Sequence, residues 1–315
     1  MDTDQRLDAL VAPLRADVVS GASVIGKMAA EVLRLAAQDA RAVSLEEFRS
    51  ELGEVCGKVL DAQPAMATLV TLVRDVLTSV EACEDLETGR LAAVRTAEAF
   101  GSGLESRAES VATRASALIP SGATVATISY SSTVLATLTH EGTWAVGQVI
   151  CFESRPMREG ETLATALAEV GVAVTFAVDA AASTLMGECD IVLLGADSIG
   201  DLGVVNKIGS AGLVDAAIRR GVPVMVVSDE TKILPTGFPQ HLTDDRPPEE
   251  VWRAPAGVRV WNQYFESFEL ERVTMVVTES DALTAPEVEK LRKDIVLPTG
   301  LLAWADARAP GPPEV

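Results

Sequence analysis

The sequence predicts an α/β protein in which an N-terminal helical domain, residues 1–118, precedes a doubly wound parallel-sheet domain, residues 119–315. Three observations predict it. Up to about residue 118 the apolar residues recur at helical spacing. After Pro120-Ser121-Gly122 the pattern changes to short β-branched runs. Helical segments separate most of those runs, which is the pattern of a parallel sheet covered on both faces.

Each element has a local cause. Ser20-Gly21-Ala22-Ser23 opens a stripe of Val24, Ile25, Met28, Ala29, Val32, Leu33 and Ala36, the start and buried face of one helix. Ser44-Leu45-Glu46-Glu47 is a capping box for a helix running to about Asp61 and ending before Pro64. A further helix is expected from about Ala65 to Val80. A long one follows from about Glu84 to Leu118, with a kink or break at Gly101-Ser102-Gly103. The expected strands are Thr124–Ile128, Gln148–Phe152, Ala173–Val178, Ile191–Leu194, Val222–Val227 and Thr274–Thr278. Helices are expected at Ser132–Thr139, Thr162–Val170, Ala180–Met186 and Ile208–Arg220. In such a sheet the ligand site lies at the C-terminal ends of the strands.

Composition narrows the partners. The chain has 315 residues with 48% hydrophobic content, ample for a packed core. It carries 46 Asp and Glu against 26 Lys and Arg, a formal net charge of −20. That field repels phosphate backbones, so no nucleic-acid partner is expected. A small phosphate is not excluded, because a local pocket can be basic on an acidic protein. No stretch has the length of a membrane span. Met1-Asp2-Thr3-Asp4 is acidic and precedes no apolar run, so no signal peptide is expected either. Cys56, Cys83, Cys151 and Cys189 are scattered without metal spacing, as in reduced cytoplasmic proteins. No GxGxxG, GxxxxGK[ST] or HExxH occurs, and no cofactor or metal is expected. His140 and His241 have no second histidine at ligand spacing.

The loops that follow the strands carry the candidate chemistry. Thr127-Ile128-Ser129-Tyr130-Ser131-Ser132-Thr133-Val134 places Ser131 and Ser132 where a helix begins, either to receive an anion or only to cap the helix. After the second strand, Arg155 of Glu153-Ser154-Arg155-Pro156 can clamp a phosphate, or pair with Glu153 or Asp179. After the fourth strand, Gly195-Ala196-Asp197-Ser198 continues to Asn206-Lys207-Ile208-Gly209. Asp197 is a candidate general acid or base, or only ties down the loop backbone, and Asn206 and Lys207, opening the next helix, are candidate phosphate ligands. Lys232, after the fifth strand, can reach the same mouth or remain a surface charge. Only six lysines exist, so Lys207 and Lys232 are a third of the supply.

In this order the segments TISYSSTV (127–134), ESRP (153–156), DAAASTLM (179–186), GADSIGDLGVVNKIG (195–209), NQYF (262–265) and VTESDALTAPEV (277–288) resemble a known family. It unites the alpha, beta and delta regulatory subunits of eukaryotic initiation factor 2B with isomerases of methylthioribose-1-phosphate and ribose-1,5-bisphosphate. The resemblance covers about residues 120–290 well and the N-terminal helices loosely. It implies an N-terminal helical domain, a Rossmann-like domain that binds ligand, and a dimer interface through the latter. It further implies that Asp197 and the position of Ser129 are catalytic. Gly21, Ala22, Asn206, Lys207 and Lys232 stand where the isomerases hold substrate. The isomerases carry Cys where Ser129 stands, and Arg where Gln63 and Ser20 stand. Ser needs an adjacent base to act as a thiolate does, and none is visible in the sequence. The Tyr-Ser-Ser loop looks more like the regulatory subunits.

Three readings follow. The first is a regulatory or non-catalytic protein that binds a sugar phosphate or nucleoside monophosphate and forms a homodimer or higher oligomer. The second is an aldose–ketose isomerase acting on a phosphorylated pentose through Asp197. The third is an oligomeric scaffold.

Overall fold

The computed structural model describes residues 3–17, 21–140, 146–240, 242 and 246–307. Ser20 and His241 lie outside them. The chain forms two compact units, one made of Met1–Ser106, Thr231–His241 and Leu291–Val315, the other of Arg107–Glu230 and Leu242–Lys290. Two segments that come late in the chain thus count with the helical unit.

The helical unit contains α1 (Thr3–Ala16), α2 (Ala22–Gln38), α3 (Leu45–Ala62), α4 (Ala67–Glu81) and the first two-thirds of α5 (Leu86–Ser116). Ile25, Ala29, Val32, Leu33 and Ala36 bury one face of α2, whereas Val24, expected on that face, is half exposed. Ser44 caps α3 by accepting from the Glu47 N–H at 3.2 Å, and the Glu47 carboxylate reaches back one residue further than a capping box requires, to the Val43 N–H at 2.9 Å.

The expected break at Gly101–Gly103 does not occur, and α5 runs straight through. A Cβ at Gly101 would sit 3.2 Å from the Ala30 Cβ, so the glycine lets α2 and α5 approach closely, and packing overrides the propensity cost. Later residues complete this core. Leu234, Phe238, Leu301 and Ala305 join it, and the Phe238 and Trp304 rings stack with centroids 6.0 Å apart.

The α/β unit follows the expected alternation. Its elements are β1 (Ala123–Ile128), α6 (Ser132–Thr139), β2 (Val146–Phe152), α7 (Glu159–Glu169), β3 (Val174–Ala177), α8 (Ala182–Leu185), β4 (Ile191–Leu194), β5 (Ser198–Gly200), β6 (Gly203–Lys207), α9 (Ser210–Arg220), β7 (Val224–Val227), β8 (Phe265–Phe268), β9 (Met275–Val277) and β10 (Ala282–Leu283). Two further helices, α10 (Ala285–Asp294) and α11 (Thr299–Asp306), complete the described chain.

Seven strands form one sheet in the order β10-β9-β7-β4-β1-β2-β3, parallel except for β10. The chain leaves β1 toward β2 and β3, then returns to the other side at β4. The β1–β4 boundary is therefore the topological switch point, where such sheets open a crevice beyond their carboxyl ends. Val125, Val149, Ile191, Leu193 and Met225 pack on Leu163 and Leu167 of α7 and Val134 of α6.

Two expectations change here. Ala180–Met186 is not one helix but the single turn α8 between 3-10 turns at Asp179–Ala181 and Met186–Glu188. Both ends are pinned: Asp179 accepts from the loop after β2, and Asp190 donates to Thr124 of β1. Residues 198–207, read as loop, form the hairpin β5–β6, which with β8 makes an antiparallel three-stranded sheet. Among the described residues no helix is long and apolar enough to cross a membrane.

Candidate functional site

The loops after β1, β2 and β4 lie side by side because their strands are neighbours in the sheet. Ser129 leaves β1 with φ +68°, and Ser154 leaves β2 with φ +63°. Both are buried. Left-handed non-glycine residues are held only where the surroundings over-determine them, and they cluster at ligand sites. Among the described residues, the Ser154 hydroxyl and the Thr127 hydroxyl of β1 are buried without a hydrogen-bond partner.

Ser131 caps α6, accepting from the Val134 N–H at 3.3 Å, and Ser132 is exposed in the first turn. A Cβ at Gly195 would lie 2.7 Å from the Ser131 Oγ, so the loops after β1 and β4 touch, and a side chain there would displace the capping hydroxyl. Asp197, two residues on, is partly buried, and its N–H donates to the Val205 carbonyl at 2.9 Å. That bond opens the hairpin and brings Asp197 alongside the end of β6.

Arg155 forms neither of the ion pairs expected from the sequence, with Glu153 or with Asp179. Asp179 accepts the backbone N–H groups of Ser154 and Arg155, each at 2.8 Å, and makes no ion pair with the guanidinium. The exposed Arg155 side chain donates to the Val251 carbonyl at 3.1 Å. Glu153 faces Arg158 at 3.9 Å instead.

Asn206 and Lys207 end a strand and do not open a helix, because β6 continues in register with β8 up to the pair Lys207–Phe265. The Asn206 amide donates to the Ser210 hydroxyl at 2.9 Å, which donates in turn to the Lys207 carbonyl at 2.6 Å. The Lys207 ammonium donates to Glu159 Oε1 at 2.5 Å and lies 4.7 Å from the Tyr264 ring centroid and 5.2 Å from that of Phe265.

Glu159 is the residue that sequence reasoning missed. It starts α7, which begins earlier than expected because Gly160 lets the helix press on the Phe152 carbonyl at the end of β2. Tyr264 is tied further: its hydroxyl donates to Glu250 Oε2 at 2.7 Å, and the Asn262 amide donates to the same oxygen at 2.8 Å. Burial, then the Glu250 bond, push the Tyr264 phenol upward, so it stays a donor. The NQYF segment was the available signal for this wall of the site, though no role could be assigned to it.

The remaining candidates have their own settings. Gly21 caps α2 with its carbonyl, which accepts from Val24 and Ile25, and Ala22 is buried in the first turn. Lys232 is buried in the 3-10 turn Glu230–Lys232. Gln63 donates to the Leu14 and Asp17 carbonyls at 2.9 and 2.6 Å, closing the end of α1.

The cysteines are free, and burial pushes the Cys56 and Cys151 thiols up to about 12 and Cys189 up to about 11. Labelling of the native protein with a thiol-specific disulfide reagent at pH 8 is expected to modify Cys83 first. The other three should react only on unfolding, and rapid labelling of four thiols would contradict this burial.

Buried hydroxyls and the Asp197 carboxylate thus line the exits of β1, β2 and β4, the crevice where α/β proteins of this topology bind their ligands. Residues 18–285 match the profile of the Initiation factor 2 subunit family, and the chain belongs to that family. It is 32% identical over 230 residues to the ribose 1,5-bisphosphate isomerase of Haloferax volcanii, covering 72% of this chain and 70% of that one. It is 28% identical over 303 residues to the 5-deoxyribose 1-phosphate isomerase of Moorella thermoacetica, covering 87% and 85%. Among solved structures, the Pyrococcus horikoshii OT3 translation initiation factor eIF-2B superposes with a TM-score of 0.75 at 25% identity, covering 90% of this chain and 98% of that one. The family thus includes isomerase relatives as well as factor subunits, as the sequence resemblance implied.

Proposed function

We propose that the chain is an aldose–ketose isomerase acting on a phosphorylated pentose. The observation that carries the reading is Asp197, held by its N–H on Val205 at the exit of β4, beside the switch point. Aldose–ketose exchange needs one group to move a proton between adjacent carbons, and a positioned carboxylate does this. The names of the relatives support the same chemistry. Ser129, with no thiol to ionise, serves as a hydrogen-bond donor to a substrate oxygen. Ser131 and Ser132 offer the start of α6 to the phosphate.

A second reading, a regulatory protein that binds a sugar phosphate or nucleoside monophosphate without turnover, is favoured by Ser129 and by the engagement of Gln63 with α1. In both readings the α/β unit binds the ligand, the location is cytoplasmic, and the chain is a homodimer or larger. Exposed Trp252, Trp261 and Val258 in the α/β unit supply apolar surface for a second copy.

Titration with ribose 1,5-bisphosphate, ribose 1-phosphate, methylthioribose-1-phosphate and AMP tests these readings, following thermal shift and product together, with light scattering for mass. A ligand at 100 times its Kd adds about 2.7 kcal/mol of stability. Ketose product from a phosphorylated pentose is the expected result. Binding without product would favour the regulatory reading, and no shift with any phosphate would leave only a scaffold.

A further inference from the structure

The turn that joins β6 to α9 is built around one buried hydroxyl. Ser210, fully buried, donates its single hydroxyl proton to the Lys207 carbonyl at 2.6 Å. With that proton committed, the same oxygen can only accept, and it accepts from the Asn206 amide at 2.9 Å. The Asn206 side chain therefore has a single orientation, with Nδ2 turned inward to Ser210 and Oδ1 as the pole left over. Among the described residues Oδ1 has no hydrogen-bond partner, and with Asn206 8% exposed it is not sealed from solvent. Glu266, opposite Asn206 on β8, does not compete for the amide, because its Oε1 accepts from the Ala211 N–H at 2.8 Å.

Two contacts place this turn at the crevice. The Asp197 N–H donates at 2.9 Å to the carbonyl of Val205, the residue before Asn206. A Cβ at Gly209 would lie 2.7 Å from the Ile128 Cδ1, so the turn rests on the end of β1, just before Ser129. Oδ1 is an acceptor and needs a donor. The oxygens of an ionised phosphate are acceptors too, whereas a sugar hydroxyl donates. We propose that Ser210 is a positioning residue: by holding Nδ2 inward it presents Asn206 Oδ1 as the acceptor for a hydroxyl of the sugar. This role depends on the site taking a phosphorylated sugar, whose phosphate falls to other groups of the site.

The test follows thermal shift against ligand concentration for wild type, Ser210→Ala and Ser210→Thr, with ribose 1-phosphate and with inorganic phosphate. In Ser210→Ala the amide is free to turn over, so apparent affinity for ribose 1-phosphate is expected to fall about three- to tenfold, the worth of one neutral hydrogen bond. Inorganic phosphate, which has no sugar hydroxyl, should bind within about twofold of wild type. Ser210→Thr keeps the hydroxyl and should bind both ligands as wild type does. Equal weakening of both ligands in Ser210→Ala would show a structural role only and overturn the proposal, as would an unchanged affinity for ribose 1-phosphate. A crystal structure of wild type with ribose 1-phosphate is expected to place a sugar hydroxyl on Asn206 Oδ1. A phosphate oxygen against the Asn206 amide would overturn the proposal even if neither variant folds. If wild type bound no ribose 1-phosphate, the functional reading itself would fail, a result distinct from a phosphate seated on Asn206.

Discussion

Asp197→Asn is expected to lower kcat by about 10²–10⁴-fold, the usual contribution of a positioned acid–base group. The substitution is nearly isosteric, and the backbone N–H that donates to Val205 is unaffected, so the hairpin should keep its register. An amide cannot carry the proton between the two sugar carbons. Ligand affinity should change little by comparison, because the phosphate is assigned to the start of α6. The measurement is kcat and KM of the variant on the pentose phosphate that wild type converts, with thermal shift as the binding control. A variant retaining more than about a tenth of wild-type kcat would remove Asp197 from the proton-transfer role.

Gly203→Ala is expected to be strongly destabilising. Gly203 turns the β5–β6 hairpin with φ +84°, a conformation that costs about 1 kcal/mol for a residue with a Cβ. A Cβ there would also fall on the Phe268 carbonyl oxygen of β8, well inside contact distance. Backbone cannot rotate away as a side chain can, so overpacking adds about 1–3 kcal/mol. The total, about 3 kcal/mol, should appear as a lower urea midpoint with little change in slope. Because β6 delivers Asn206 and Lys207, sugar-phosphate affinity should fall as well. A midpoint within error of wild type would show that β8 is free to move away from the hairpin.

Much of the fold is legible in single residues. α6 occupies Ser132–Thr139, the span its serine cap and apolar pattern predicted, and β4 occupies Ile191–Leu194, a short buried run. The Ser44 cap places the start of α3. What failed did so for physical reasons. Gly101 reads as a breaker, yet its missing side chain is what brings α5 against Ala30 of α2. Residues 198–207 read as loop because their glycines and short runs lack a period. They become strands only when β6 pairs with β8, which lies far along the chain. Arg155 reads as a possible ion-pair partner of Asp179, but Asp179 accepts the backbone N–H groups of Ser154 and Arg155 instead.

The acidic composition, the helical first third, the order of strands and helices, and the family were determined by the sequence itself, because hydrophobic period, caps and motifs are local patterns. Tertiary structure alone decided that the Lys207 charge is already matched. Its partner Glu159 is 48 positions away and becomes a neighbour only when α7 presses on the end of β2 and the β5–β6 hairpin folds over. One lysine among six reads the same in the sequence whether it waits for a phosphate or holds a carboxylate. The difference is electrostatic and short-ranged, so it exists only after the chain has closed.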